Sequence, residues 1–349
     1  MNLDTNPYIQ DILSQADALQ DALARFDDTP FNPIAHSIQR GDFDRIILTG
    51  MGASFYAAYP VWLRLIQAGI PAYWLDAAEL LHHAQALLSE KSLLWVFSQS
   101  GRSAEIIALL DLYKPDRITL LATVNDLSSP LAKAAGHLII PLWAQPEQSV
   151  STRTYLNTLA LSQLAALVFT SGEVQVGIQQ LRATITAISN YLADWTLHLQ
   201  EIRARVRLTR NLVLLGRGYS LAAVYTGALI LGEAAKVGAI GLQAGEFRHG
   251  PLELADSELT ALLFAGPPET QPLMARLHHD LLQAEANSIW IAPPTADAPK
   301  PHIPMPDATG IGAPLAEILP IQLLTLHLAN ELGVEAGKFR HIGKVTLSE

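Results

Sequence analysis

Ser98-Gln99-Ser100-Gly101-Arg102-Ser103-Ala104-Glu105 puts three hydroxyls and a glycine within six residues, directly after the apolar run Ser92 to Phe97 and at the opening of a segment with helical spacing. A helix N-terminus carries unbonded amides and partial positive charge. A glycine lets those amides converge, and hydroxyls add donors, so the segment suits a phosphate monoester. Ser98 and Ser100 alternate in direction if the strand persists, whereas Ser100 and Ser103 share a face once the helix begins. The same residues could do no more than cap a helix. Ser54, after Gly52 and Ala53, stands at another strand-to-helix turn and favours the phosphate reading, because open parallel sheets gather ligands at the carboxyl ends of their strands. Gly52 and Ala53, in the turn that bears Ser54, are further candidate binding residues. A second hydroxyl cluster, Ser149, Ser151, Thr152 and Thr154, either closes the same pocket or caps the helix that follows it.

Proton transfer has its own candidates. Glu233 stands fifteen residues into a helical segment starting near Tyr219, among Ala228, Leu229, Ile230, Leu231, Ala234 and Ala235. A carboxylate there is either on a solvated face or desolvated with a raised pKa, which suits it to moving protons near neutral pH. Ala244-Gly-Glu246-Phe-Arg248-His249-Gly-Pro251 is a compact charged group, and His249 could serve as acid or base at a sugar ring oxygen. The adjacent pairs His82-His83 and His278-His279 lack chelating spacing, and no His-Glu-x-x-His occurs, so no metal and no cofactor is expected. Gly50-x-Gly52 and Gly216-x-Gly218 resemble dinucleotide turns, with Asp76 placed as a ribose acid. Phe55 and Leu221, however, occupy the third small position that such a fingerprint needs.

The elements that must position these residues alternate. Strand-like runs at Arg45 to Thr49, Pro71 to Leu75, Ser92 to Phe97, Arg117 to Thr123 and His137 to Pro141 are separated mostly by helix-like segments, the pattern of a parallel sheet covered on both faces. An amphipathic stretch from 7 to 26 precedes them, and a helix-rich stretch from Ser151 to about Arg210 follows. Gly50-Met-Gly52-Ala-Ser54 then recurs as Gly216-Arg-Gly218-Tyr-Ser220 after the strand Asn211 to Leu215. With Leu259 to Phe264, Ser288 to Ile291 and a long helix from Pro314 to Leu332, this reads as a tandem repeat of one α/β unit. The stretch 293–306 holds six prolines and is read as a surface connection.

Composition narrows the function class. Of 349 residues 50% are hydrophobic and 16% charged, against about 25% charged in an average chain, which leaves apolar surface for a subunit interface. A net charge of −10 with no basic run argues against nucleic acid. The absence of cysteine excludes thiol chemistry and disulfides. Met1-Asn2-Leu3-Asp4 has no leader character and the apolar windows, such as Thr158 to Thr170, are too short for a span, so a cytoplasmic protein with no membrane partner is expected.

Taken together, Ser98-Gln-Ser-Gly101, Gly216-Arg-Gly218 and Gly245-Glu-Phe-Arg-His-Gly-Pro251 resemble the tandem sugar isomerase (SIS) family, from about residue 7 to the end. Order and spacing are similar to the isomerase half of glucosamine-6-phosphate synthase, and the length is similar to the SIS-type glucosamine-6-phosphate deaminases. The resemblance implies two tandem, doubly wound parallel-sheet α/β units of flavodoxin-like type. It sets an N-terminal helix at 1–30, a first domain at 31–200, a second at 201–335 and an active-site tail at 336–349. It implies that Ser98, Ser100 and Ser103 hold a sugar phosphate beside Gln99 and Ser54, and that Glu233 shuttles a proton between C1 and C2. His249 would open the ring from the neighbouring subunit of a homodimer, and Lys344, in Arg340-His-Ile-Gly-Lys344-Val-Thr346, would contact the open-chain sugar. The synthase's glutaminase part, with its Cys nucleophile, has no counterpart in these residues, so the implied reaction is deamination or isomerisation of a 6-phosphosugar; a deglycase and a non-catalytic sensor are the alternatives. Thr226 and Ile230 stand where the family has Glu and Lys, and Phe339 and His341 where its tail has Pro and Gly.

Overall fold

The computed structural model describes residues 6–114 and 117–346. The first four residues, on which the leader expectation rests, and the last three positions of the tail lie outside the described residues.

Five apolar runs form a first sheet: β1 (Arg45–Gly50), β2 (Ala72–Trp74), β3 (Ser92–Phe97), β4 (Thr119–Val124) and β5 (Ile139–Pro141). All pairs are parallel and the order is β2-β1-β3-β4-β5. A second sheet contains β6 (Asn211–Gly216), β7 (Ile240–Gln243), β8 (Leu259–Phe264), β9 (Asn287–Ala292) and β10 (His302–Pro304). Its order, β10-β9-β8-β6-β7, repeats the first when taken from the other edge, and its pairs are also parallel. The central strands β3 and β8 are buried along their whole length, as strands covered on both faces must be. Ile47, Leu94, Val96, Leu120 and Ala122 anchor one core, and Val213, Leu215, Ala261, Leu263 and Trp290 another.

The chain divides into two compact units that interleave in sequence. One comprises Asp17–Glu147, Ser151–Gln179 and the tail from Arg340, and contains β1 to β5; the other comprises the chain up to Ala16, Gln148–Val150 and Gln180–Phe339, and contains β6 to β10.

Two strands have no apolar run to announce them. β7 is a short strand whose residues are mostly half-exposed or exposed. β10 lies inside the proline-rich connection, at a sheet edge, where a residue without an N–H costs no ladder bond. The N-terminal stretch forms two helices, Pro7–Leu13 and Gln15–Ala24. The break falls at Ser14, whose hydroxyl donates to the Gln10 carbonyl at 2.8 Å. Among the described residues one helical stretch, Gly310–Glu331, is long and apolar enough to cross a membrane by length and composition, and its apolar window is wholly buried. It packs closely on the helix Leu221–Ile230: a methyl on Gly227 would lie 2.6 Å from the Leu214 side chain and 3.2 Å from Ile321.

Candidate functional site

In the order β2-β1-β3-β4-β5 the direction of winding reverses between β1 and β3, the place where doubly wound sheets open a crevice. The turns after those two strands carry Gly52, Ala53 and Ser54, and Ser98 to Ser103. Ser98 extends β3 by one residue, its amide donating to the Thr123 carbonyl at 3.0 Å. Its buried hydroxyl then accepts the Gly101 amide at 3.1 Å, and the Ser100 hydroxyl accepts the Arg102 amide at 3.2 Å. Gly101 has φ +59°, and a methyl there would lie 2.3 Å from the Ser129 hydroxyl, so only glycine fits the turn as built. The Asn125 amide closes the far side by donating to the Gln99 carbonyl at 3.0 Å. Arg102 reaches back across the turn to Asp126 at 3.0 Å and Ser128 at 3.1 Å. Ser103 is the N-cap residue of the helix Ala104–Leu112. Gln99, Ser100, Ser103, Ala53 and Ser54 are half-exposed and Gly52 is exposed, so the turn presents polar groups rather than burying them.

The second unit repeats the topology without this chemistry. Its reversal lies between β6 and β8, and the four residues after β8 are Ala265-Gly266-Pro267-Pro268, with no hydroxyl. A methyl on Gly218 would lie 2.8 Å from the Pro267 ring, so that ring fills the space where a ligand would approach. The two Gly-x-Gly turns read alike in sequence; the strand beside each one separates them.

What the second unit carries is Glu233. The helix Leu221–Ile230 widens into a π-helical turn, Leu231–Ala235, which stops at Lys236 in the left-handed conformation. Such single π-turns are frequent at functional sites. Glu233 is half-buried, and burial pushes its carboxyl up to about 7 while the nearby Lys236 ammonium pulls it down. The Lys236 amine donates to the Glu233 carbonyl. Thr226 and Ile230, two turns and one turn earlier, are buried. His249 is exposed, its amide donating to the Glu246 carbonyl at 2.9 Å, and the turn bearing it is tied down by an Arg248–Asp280 ion pair at 2.6 Å.

The hydroxyl cluster at 149–154 spends most of its hydrogen bonds internally. Ser149 donates to the Gly337 carbonyl at 2.7 Å and so fixes the root of the tail, whose Gly337 amide donates to Ala234 at 3.1 Å beside Glu233. Ser151 pairs with the Thr154 hydroxyl at 2.9 Å. Farther along the tail, the Thr346 carbonyl accepts the Ala104 amide at 3.0 Å, which sets this segment on the N-terminus of the helix after the serine turn. Lys344 pairs with Glu147 at 2.9 Å. Glu147 drew no attention in the sequence; an acid just before a hydroxyl-rich helix start was its only signal. Among the described residues, no group of three or more His, Asp or Glu side chains is arranged to hold a metal ion.

Residues 42–168 match the family model described as SIS domain. Glutamine–fructose-6-phosphate aminotransferase (isomerizing) of Pyrococcus horikoshii is 30% identical over 350 residues, a match covering 96% of this chain and 56% of that protein. The chain spans about half the length of the curated relatives it matches. Among solved structures, tagatose-6-phosphate ketose/aldose isomerase from Escherichia coli is similar with a TM-score of 0.81 at 20% identity, covering 97% of this chain and 96% of that one. Glucosamine-6-phosphate deaminase from Thermotoga maritima gives 0.76 at 18% identity, covering 97% and 99%. At such identities the likeness speaks for the fold, two parallel α/β units of SIS type.

Proposed function

We propose, from the SIS domain at residues 42–168 as premise, that this chain is an enzyme acting on a 6-phosphosugar, and that it converts an amino-sugar 6-phosphate to a ketose 6-phosphate and ammonia. The observation that carries the reading is the Ser98–Ser103 turn, where hydroxyls and a helix N-terminus meet at the reversal point of a parallel sheet. Phosphate binding there uses Ser98, Ser100 and Ser103, with Gln99 and Ser54 beside them and Gly52 and Ala53 lending backbone.

The chemistry proposed needs no redox step and no metal. His249 assists ring opening, which exposes an aldehyde at C1. Glu233, as carboxylate, takes the proton from C2; the C2–H electron pair forms a C1=C2 bond while the carbonyl oxygen takes up a proton, leaving an enolamine, and Glu233 returns its proton at C1 as the nitrogen gives up one and C2=N forms. The product is a ketimine, and addition of water followed by loss of ammonia gives the ketose. With a hydroxyl at C2 in place of the amine, the same proton path is an aldose–ketose isomerisation and releases nothing. A carboxyl held near neutrality supports this role, because it can both accept and return the proton. Exposure of His249 supports its use by the neighbouring copy of a homodimer. The proposal includes a cytoplasmic location, since charged sugar phosphates do not cross membranes unaided.

Burial of Thr226 and Ile230 favours a second reading, a sugar-phosphate sensor, because those positions offer no charged groups to a substrate. One experiment separates the readings: ammonia and ketose phosphate are measured from a panel of 6-phosphosugars, glucosamine and galactosamine forms included, with Glu233→Gln as control. Ammonia from one sugar, lost in the variant, is the expected result. Ketose phosphate without ammonia moves the assignment to an isomerase. Silence across the panel, with the same sugars still raising Tm, moves it to the sensor.

A further inference from the structure

We propose that Glu147 is a positioning residue that holds the amine of Lys344 at the mouth of the serine turn. The relevance of Lys344 to a substrate rests on the reading above; the holding interaction does not. Glu147 lies in the connection between β5 and the helix Arg153–Phe169, and its side chain is fully buried. One carboxylate oxygen, Oε1, is committed to that helix: it accepts the Thr154 amide at 2.7 Å, the Thr154 hydroxyl at 2.8 Å and the Thr152 amide at 3.2 Å. The other oxygen, Oε2, takes the Lys344 ammonium at 2.9 Å, and the Glu147 backbone carbonyl takes a second of its hydrogens.

This division of labour fixes both ends of the contact. A buried carboxylate with a single partner would be poorly placed, but three donors at a helix N-terminus lock its rotamer. The locked carboxylate then presents one oxygen in one place. Lysine ordinarily carries its charge on a mobile four-carbon stem. Here two of its three N–H bonds go to Glu147, and the Lys344 side chain is partly exposed. Two residues on, the tail lies against the Ala104 amide, so the held amine belongs to the segment that borders the serine turn.

The two jobs of Glu147 can be parted. Glu147→Gln keeps a carbonyl oxygen for the Thr152 and Thr154 donors and replaces Oε2 with an amide that cannot accept from an ammonium. The variant is expected to fold with Tm within a few degrees of the parent. Lys344, read by acylation with acetic anhydride and peptide mass analysis, is expected to become several-fold more reactive, while the other lysines are unchanged. On the phosphosugar that the panel identifies, kcat is expected to fall roughly ten- to hundredfold with KM little altered, the cost of a misplaced group. Combining the change with Lys344→Met should add nothing further, as it must if Glu147 acts through that amine. Glu147→Asp, which keeps the charge, should recover part of the loss.

Unaltered Lys344 acylation in Glu147→Gln would overturn the proposal, as would a loss of activity that adds to that of Lys344→Met. The acylation arm needs no turnover. If no sugar in the panel is processed, the function proposed above fails while Glu147 is still decided.

Discussion

A carboxyl group that is half-protonated near neutrality must be ionised before it can take a proton from carbon. Glu233 is held at about 7 by burial, against the pull of Lys236. The rate on a phosphosugar should therefore climb with pH through a limb near 7 in kcat/KM, as the base form accumulates. Lys236→Met removes the charge that lowers this pKa, so the limb should move to higher pH, while Glu233→Gln should erase the rate itself. A limb in the Lys236 variant at or below its original position would contradict the assignment of the pKa to this pair. Glu233 was legible in the sequence as a lone acid among small and apolar residues. Its carbonyl contact to Lys236 and the π-turn beneath it were not, because a widened helical turn leaves no mark in hydrophobic spacing. Glu147 was illegible for a different reason: its partners lie five to seven residues ahead and, at Lys344, almost two hundred residues away.

Turns and strands set the next scale. The serine turn depends on Gly101, whose positive φ and 2.3 Å approach to Ser129 leave no room for a side chain. Gly101→Ala should cost about 1 to 3 kcal/mol in chemical denaturation, and should abolish the rise in Tm that sugar phosphates give the parent. Retained protection by sugar phosphate would show that the ligand does not use this turn. Eight of the strands follow from apolar runs that alternate with helices, and the strong ones, β3 and β8, stand where their residues put them. β7 and β10 escaped for physical reasons already visible in their residues. One is half-exposed and therefore mixed in polarity, and the other sits at an edge that tolerates the prolines around it. The likeness of the two Gly-x-Gly turns suggested equivalent units. The residues after the neighbouring strand, Ser98-Gln99-Ser100-Gly101 in one and Ala265-Gly266-Pro267-Pro268 in the other, make them unlike.

Two copies of one strand order make up the described residues, with the serine turn in one and Glu233 in the other. The protein's stability carries a signature of one core acid. Glu317 is buried in the long helix, with the Ser220 hydroxyl donating to Oε1 at 2.6 Å and Oε2 without a hydrogen-bond partner among the described residues. Burial pushes its carboxyl up to about 8 from an ordinary 4.5. The folded state thus holds this proton more tightly than the unfolded chain. Its contribution is complete below about 4.5 and is lost as pH rises through about 8. Relative to the parent, Glu317→Gln should gain on the order of 3 kcal/mol between pH 5 and pH 9, measured by urea denaturation at each pH; parallel curves for the two proteins would contradict a neutral Glu317. The central claim concerns the other acid. In the proposed reaction, proton transfer between C1 and C2 through Glu233 implies exchange with solvent, because the proton on the carboxyl has time to be replaced from water. The direct measurement is NMR of a 6-phosphosugar incubated with the protein in D2O. Deuterium at C1 or C2 with the parent and none with Glu233→Gln is the predicted result. No deuterium on any sugar that demonstrably binds, or the same incorporation with the variant, would contradict the account.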